Sequence, residues 1–393
     1  MSAFREIAAV SGMSLRSVPR RLGSSLVIVT GIAGVVLVLL SFLAMSGALQ
    51  RTIAGSGRAD RALVLRKGAD SEVGSSLSRD SVASIENAAG IRKTADGKPM
   101  VSAETLTSVA LPKKKDGVTA ELTVRGVTPM ATLLRPELKV IAGRAVSPGL
   151  RELMVGRAAQ AEFQGLDLGS RVAIRDGVWT VVGIYATGGD ARESELVADA
   201  ETLLSAYQSS IFNSATVQLD SAASFDRFKE ALANDPTLTV TASRETDYYQ
   251  RQSKRMSLLL SFIAYVVGGI MAIGAMFGAV STMYTAVSAR TVEIATLRAI
   301  GFGAAGVVVS VLIEALLFAT TGALAGALLA WTILNGRNIS TLQGGGQVVA
   351  QLHVSPALFV TAIIWACVIG LIGGLLPAIR AAQVPVATAL RAT

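Results

Sequence analysis

The 393-residue chain is 51% hydrophobic and only 16% charged, with a mean hydropathy of +0.52. That excludes an ordinary soluble globular protein and makes a membrane protein the first expectation. The net charge of +8 is not a nucleic-acid signal, because much of the excess (Arg16, Arg20, Arg21, Arg290, Arg298, Arg380, Arg391) borders apolar runs and aromatics are only 5%.

Cys367 and His353 are the only residues of their types, so no intrachain disulfide, zinc-ligand cluster or metal site is expected. A catalytic triad would have to be built on that single imidazole, and His353 reads as a polar residue at the start of a membrane helix.

Residues 1–24 carry four arginines against one glutamate, and Phe4, Ile7, Ala8, Val10 and Leu15 suit a cytoplasmic amphipathic helix lying along the membrane surface, ended by Pro19. Residues 25–49 are uncharged. This run is longer than the ~7–15-residue apolar core of a signal peptide, so an uncleaved first transmembrane helix is expected.

Residues 50–242 have the mixed charge of a folded extracytoplasmic α+β domain of two lobes. A strand is expected at 61–66, a helix at 78–89, strands at 100–111 and 118–127, and a solvated lysine turn, Lys113-Lys-Lys115, between the last two. Asp176-Gly177 should turn a hairpin between 171–175 and 178–185. A strand running into a helix is expected over 153–163, then a helix at 198–207, a strand at 215–219, a helix at 224–233 and a strand at 237–241.

Residues 243–287 read as a stalk, marked by Tyr248, Tyr249 and Arg251, that continues without Gly or Pro into a second transmembrane helix. No charge lies between Arg255 and Arg290, and a helix of about 32 residues would be ~48 Å long, more than a ~30 Å hydrocarbon core requires. Residues 288–303 form a short charged amphipathic helix that cannot span. Residues 304–334 and 355–378 are the third and fourth transmembrane helices, joined by an outer loop at 335–354, and 379–393 is a tail.

With a cytoplasmic amino terminus, Arg290, Arg298, Arg380 and Arg391 all fall inside, and only Arg337 disagrees with the positive-inside rule. The fold class is thus four transmembrane helices with an α+β domain between the first and second. Both termini would be cytoplasmic.

Glu314 is the only charge in the third apolar run. It is either an intramembrane functional carboxylate facing the bundle interior or an interfacial carboxylate capped by polar partners such as Arg298. Gly274 with Gly278, Gly322 with Gly326, and Gly370 with Gly374 have the four-residue spacing that lets helices approach closely. No Gly-x-x-x-x-Gly-Lys-Ser/Thr occurs, so these residues contain no P-loop for ATP.

Thr296-Leu-Arg-Ala-Ile-Gly-Phe-Gly303, Ile313-Glu-Ala-Leu316, Gly322 and Gly326 resemble the FtsX-like, MacB-type permeases, the type VII ABC transporters. Gly374-Leu-Leu-Pro-Ala-Ile-Arg-Ala-Ala382, Pro385 and Ala389-Leu-Arg391 resemble that family's closing motif. The resemblance implies an inner-membrane, non-enzymatic permease without a cofactor, paired with a second copy as a homodimer and served by a cytoplasmic ABC ATPase dimer.

It further implies that residues 288–300, with Arg290, Glu293 and Arg298, form the ATPase-coupling helix, and that motion passes to a periplasmic domain by mechanotransmission. An efflux role with a periplasmic adaptor and outer-membrane channel is the leading expectation. The alternatives in the family are a regulator of an extracytoplasmic enzyme and a lipoprotein-releasing permease.

Overall fold

The structure, a computed structural model, describes residues 22–300, 303–343 and 346–383. The expected amino-terminal surface helix, Gly301, Phe302, Pro385 and Arg391 lie outside the described residues. The chain forms two units: residues 48–257 with 338–351, and the apolar helical remainder. The first long helix, α1 (Leu22–Ala54), is uncharged until Arg51 in its last turn.

The sheet unit contains β1 (Arg61–Arg66), α2 (Arg79–Glu86), β2 (Val101–Pro112), β3 (Thr119–Val127), α3 (Ala131–Leu134), β4 (Lys139–Gly143), β5 (Glu152–Gly156), α4 (Arg157–Glu162), β6 (Arg171–Ile174) and β7 (Gly177–Ala186). It continues with β8 (Leu196–Asp199), α5 (Ala200–Ala206), β9 (Ser214–Gln218), α6 (Phe225–Ala233) and β10 (Val240–Arg244).

The expected two lobes share one sheet, of order β10-β1-β9-β2-β3-β8-β5-β7-β4, with β6 paired to β7. At one end β10-β1-β9-β2, with α2 and α6 as crossovers, form a split βαβ arrangement, and the second lobe is inserted between β2 and β9. The two larger apolar cores lie on this sheet. One packs Ala62, Val64, Ala103 and Val217 against Ile85 and Phe228, and the other gathers Leu122, Val124, Val181, Phe163 and Trp179.

Local chemistry sets the elements. Ser78 caps α2 by accepting from the Ser81 amide at 3.1 Å, and Asp199 caps α5 by accepting from the Thr202 amide at 3.0 Å. The hairpin forms one residue earlier than the Asp176-Gly177 expectation. Ile174 pairs with Gly177, so the turn is Arg175-Asp176, with Arg175 at φ +54°. Gly177 is instead a close-approach position, where a Cβ would lie 2.7 Å from an Arg151 guanidinium nitrogen. Lys113 is not simply solvated: it hydrogen-bonds Ser340 and lies 3.9 Å from Glu162.

After β10 come α7 (Glu245–Ser288), α8 (Thr291–Ala299), α9 (Ala304–Leu334), the antiparallel pair β11 (Asn338–Gln343) and β12 (Gly346–Gln351), and α10 (Pro356–Ala382). The outer loop is therefore a hairpin that belongs to the sheet unit. Four helices, α1, α7, α9 and α10, are long and apolar enough to cross a membrane.

In the helical unit, small residues decide how close the helices come. A Cβ on Gly326 would lie 2.5 Å from the Ala33 carbonyl oxygen, and one on Gly322 2.9 Å from that of Val29, so both glycines press on α1. Gly370 and Gly374 press on α9, each 2.6 Å from an alanine Cβ, that of Ala319 and of Ala315 respectively. Gly274 and Gly278 have nothing within 4 Å, so the spacing that marked them carries no close contact. On α10, Gly373 does pack on α7, 3.3 Å from the Ala279 Cβ.

Gly326→Leu should overpack α9 against α1 and cost about 1–3 kcal/mol, whereas Gly274→Leu should leave stability nearly unchanged. Thermal unfolding of the two variants in detergent checks this pair.

Candidate coupling elements

The strands of the sheet unit alternate. Ala62 and Val64, Val101 and Ala103, Ala215 and Val217, and Leu122 and Val124 belong to the apolar cores, so Arg61, Ser102 and Glu104, Ser214 and Thr216, and Thr123 and Arg125 point to the other face. That face is also buried, and it holds an ionic cluster.

Arg125 is its hub. It donates to Glu104 at 2.7 Å, to Glu72 at 2.8 Å and, through two nitrogens, to Glu195 at 2.7 and 2.9 Å. Arg135 donates to Glu104 at 3.1 Å and to Glu245 at 2.9 Å. Arg61 donates to Glu245 at 2.6 Å and to Glu137 at 2.5 Å. Arg192 reaches Glu245 at 3.4 Å and the Tyr249 hydroxyl at 2.8 Å.

Four arginines and the glutamates 72, 104 and 245 are buried, with Glu195 and Glu137 at the rim. Burial works to raise the Glu104 carboxyl, but Arg135, Arg125 and Arg192 outweigh it and hold it well below the ordinary carboxylate range. Glu195 is lowered in the same way, with burial opposed by Arg125.

Glu245 is the first residue of α7, so three arginines grip the start of the second long apolar helix. The chain leaving α1 meets the same point. The Arg58 amide donates to Glu245 at 3.1 Å, and a Cβ on Gly57 would lie 2.8 Å from the Glu245 backbone.

The expected stalk residues divide. Tyr248 accepts from the Glu72 amide at 3.1 Å, and Tyr249 meets Arg192, so both are buried anchors, while Arg251 is exposed. The β11–β12 hairpin covers this face too. The Val349 amide donates to Ser194 at 2.9 Å, and Gly346 lies directly on Thr123.

None of the buried arginines and glutamates stood out in the sequence, because a strand with alternating polar positions reads as half-solvated. The usable signal was Glu245 and two tyrosines opening a helical pattern that leads through Arg251, Lys254 and Arg255 into the uncharged run.

In the helical unit, α7 runs on to Ser288, so Ser288 is not part of the short helix, which begins at Thr291 after Ala289 and Arg290. Arg290 is turned inward and donates to Glu314 on α9 at 3.2 Å, and both side chains are buried. Arg290 is thus a partner of Glu314 and does not face outward as a contact residue.

Arg298 donates to the Ala382 carbonyl at 2.8 Å, which ties α8 to the end of α10. Of the three expected coupling residues only Glu293 is exposed, accompanied by Val292, Thr296 and Ile300, the last 69% exposed. His353 is exposed two residues before the Ser355 cap of α10, and Cys367 is a free thiol. Among the described residues no group of His, Cys, Asp and Glu is arranged to hold a metal.

The MacB-like periplasmic core domain family matches residues 23–235, more than half of the chain, and the FtsX-like permease C-terminal family matches residues 257–386. The chain belongs to the MacB-type, FtsX-like permease family. The macrolide export ATP-binding/permease protein MacB of Acinetobacter baylyi is 32% identical over 157 residues, 39% of this chain and 22% of that protein. This MacB-type chain thus spans about a fifth of the curated relative it matches.

Two solved structures are also similar. The extracellular domain of the noncanonic ABC-type transporter YknZ from Gram-positive bacteria matches at 16% identity and TM-score 0.36, covering 47% of this chain and 99% of that one. The periplasmic region of MacB from Actinobacillus actinomycetemcomitans matches at 14% and 0.37, covering 50% and 92%. The family places this chain among multi-pass membrane permeases with a periplasmic domain.

Glu245→Gln leaves three buried arginines short of a counter-charge and should destabilise the sheet unit by about 3–5 kcal/mol. Arg79→Ala, which removes an exposed pair with Glu201, should leave stability nearly unchanged. Urea unfolding of the full chain in detergent, followed by the fluorescence of buried Trp179, compares them.

Because the Glu104 and Glu195 carboxyls are lowered, the stability they contribute is fully present above the unfolded carboxylate pKa of about 4.3 and is lost as pH falls below it. The melting temperature should therefore be flat between about pH 8 and 5 and fall steeply below about pH 4.5.

Proposed function

We propose that this chain is the permease subunit of an ABC-type export complex, in which a separate cytoplasmic ATPase dimer drives motion of the periplasmic domain without cargo passing between the membrane helices. The observation that carries this reading is the course of α7. One uninterrupted helix begins in the ionic cluster at Glu245 and ends where the short charged helix α8 begins.

A helix held at its first turn by buried, charge-assisted bonds carries displacement better than one joined through a loop. The exposed Glu293, Thr296 and Ile300 offer the ATPase-facing surface. The domain lies on the periplasmic side, both termini on the cytoplasmic side, and two copies pair as a homodimer. A periplasmic adaptor and outer-membrane channel complete an efflux route. A hydrophobic, lipid-like or antibiotic cargo would fit the macrolide export for which the MacB relative is named.

Gentle solubilisation from the native membrane should recover a P-loop ATPase with this chain, and an adaptor. A cell-wall hydrolase bound to the sheet unit in place of an adaptor would assign the chain to the regulatory branch of the family, and lipoprotein release to the other. Glu293→Lys with Ile300→Asp should remove most permease-stimulated ATP hydrolysis while the helical unit keeps its melting temperature. Unchanged stimulation in that variant would remove α8 as the contact.

A further inference from the structure

A cavity of about 390 Å³ lies in the helical unit, bounded by the end of α7, by α8 and by the first turns of α9. Its walls are mainly apolar, with Met283 and Val287 from α7, Leu297 from α8 and Val307 from α9. Arg290 and Glu314 line one end and pair with each other, and Glu293 stands at the exposed rim. A single turn of a helix ~10 Å across and ~5.4 Å long would fill this volume. The space therefore suits side chains entering from a helix laid over it.

Helix register shows which part of the chain is at hand. Cβ atoms on Gly322 and Gly326 of α9 would meet Val29 and Ala33 of α1, so these two helices run in the same direction. Seven residues back along each, Leu22 stands level with Ala315. A Cβ on Gly31 would lie 3.8 Å from Ala275 and one on Gly268 3.3 Å from Leu39, so α7 runs the opposite way. Nine residues from the first of these pairs, Leu22 stands level with Tyr284. Ala315 and Tyr284 are the chain neighbours of Glu314 and Met283 in the cavity wall. The chain ahead of Leu22 thus leaves α1 at one end of the cavity, and the rest of the cavity, toward Val287 and Val307, extends in the direction from which α1 comes.

The sequence there has matching chemistry. Phe4, Ile7, Ala8 and Leu15 recur at helical spacing, and Ser11 falls within the same stripe. The cavity offers apolar walls and the hydroxyl of Ser310, which is 2% exposed and has no hydrogen-bond partner among the described residues. A second hydroxyl bonded to it would remove that deficit. Residues 1–21 carry Arg5, Arg16, Arg20 and Arg21 against Glu6, while Glu293 has no ion pair among the described residues. Extended, residues 16–21 reach about 20 Å, enough to bring Leu15 back over the cavity.

We propose that residues 4–15 dock across this cavity, with Phe4 and Ile7 seated against Val287, Leu297 and Val307 and Ser11 hydrogen-bonded to Ser310. The amino-terminal segment then ties the ends of α7, α8 and α9 together. The site stands on register and lining, and holds whether or not α8 meets an ATPase.

The test uses the full chain in nanodiscs, with Cys367→Ser to remove the native thiol. Ser11→Cys with Ser310→Cys should close a disulfide within one chain, under mild oxidation, at least about tenfold faster than Met13→Cys with Ser310→Cys, because Met13 falls on the opposite side of the helical spacing. Phe4→Ala with Ile7→Ala removes two buried apolar side chains and should let a water-soluble maleimide modify Val307→Cys about tenfold faster.

Equal rates for Ser11→Cys and Met13→Cys overturn the proposal. So does a disulfide between two chains, which would make a second copy the donor of the segment. Val307→Cys no more reactive in the double alanine variant also overturns it, and leaves the cavity to lipid or to an ATPase. Should Ser310→Cys fail to fold, Val307→Cys decides alone.

Discussion

The sheet unit depends on charge that has nowhere else to go. Arg61, Arg125, Arg135 and Arg192 are buried, and they are compensated by glutamates from other parts of the chain: Glu72 after β1, Glu104 on β2, Glu137 after α3, Glu195 ahead of β8, Glu245 at the head of α7. Ion pairs in a low-dielectric interior gain little over apolar packing, and breaking one leaves a stranded charge. Their effect here is therefore positional. The insertion carrying Arg125 and Arg192 must dock on the lobe carrying Arg61 and Glu104 in one register, and α7 must start at one point, or a full charge is left buried.

The helical unit is held by a different physics. In lipid there is little hydrophobic gain in bringing helices together, so backbone proximity at Gly322, Gly326, Gly370 and Gly374 and rows of alanine do that work. The ion pair of Arg290 with Glu314 sits where α7 breaks into α8. A broken helix in this position frees backbone groups, and a buried arginine at the break that is matched on α9 fixes where the break falls. The sheet unit is thus set by matched charges and the bundle by missing side chains.

The sequence exposed the second kind of order better than the first. Four apolar runs, three of them uncharged, and one charged interruption are long-range compositional signals, and length arithmetic converts them into helices. The Gly322, Gly326, Gly370 and Gly374 contacts followed from spacing, but Gly274 and Gly278 show that spacing alone does not say which face meets a neighbour. Strand positions were readable from alternation. The burial of their polar face was not, because Arg61, Glu104 and Arg125 alternate with apolar residues just as solvent-facing positions would. What buries them, the start of α7 and the hairpin at 338–351, comes from 120 to 290 residues further along the chain, and nothing local in the strands announces it.

Arg290 changes how the proposed motion would enter the bundle. Had it faced outward, a partner pressing on α8 would have acted on α7 through the short segment that joins them. Turned inward, it links the same spot to Glu314, so displacement of α8 is shared between α7 and α9 from the outset. Each helix then leads along the chain to the sheet unit, α7 back to Glu245 in the cluster and α9 forward to β11 and β12, whose Gly346 and Val349 rest on Thr123 and Ser194. Under the proposed function, displacement of α8 would therefore reach the periplasmic domain along α7 and along α9 alike.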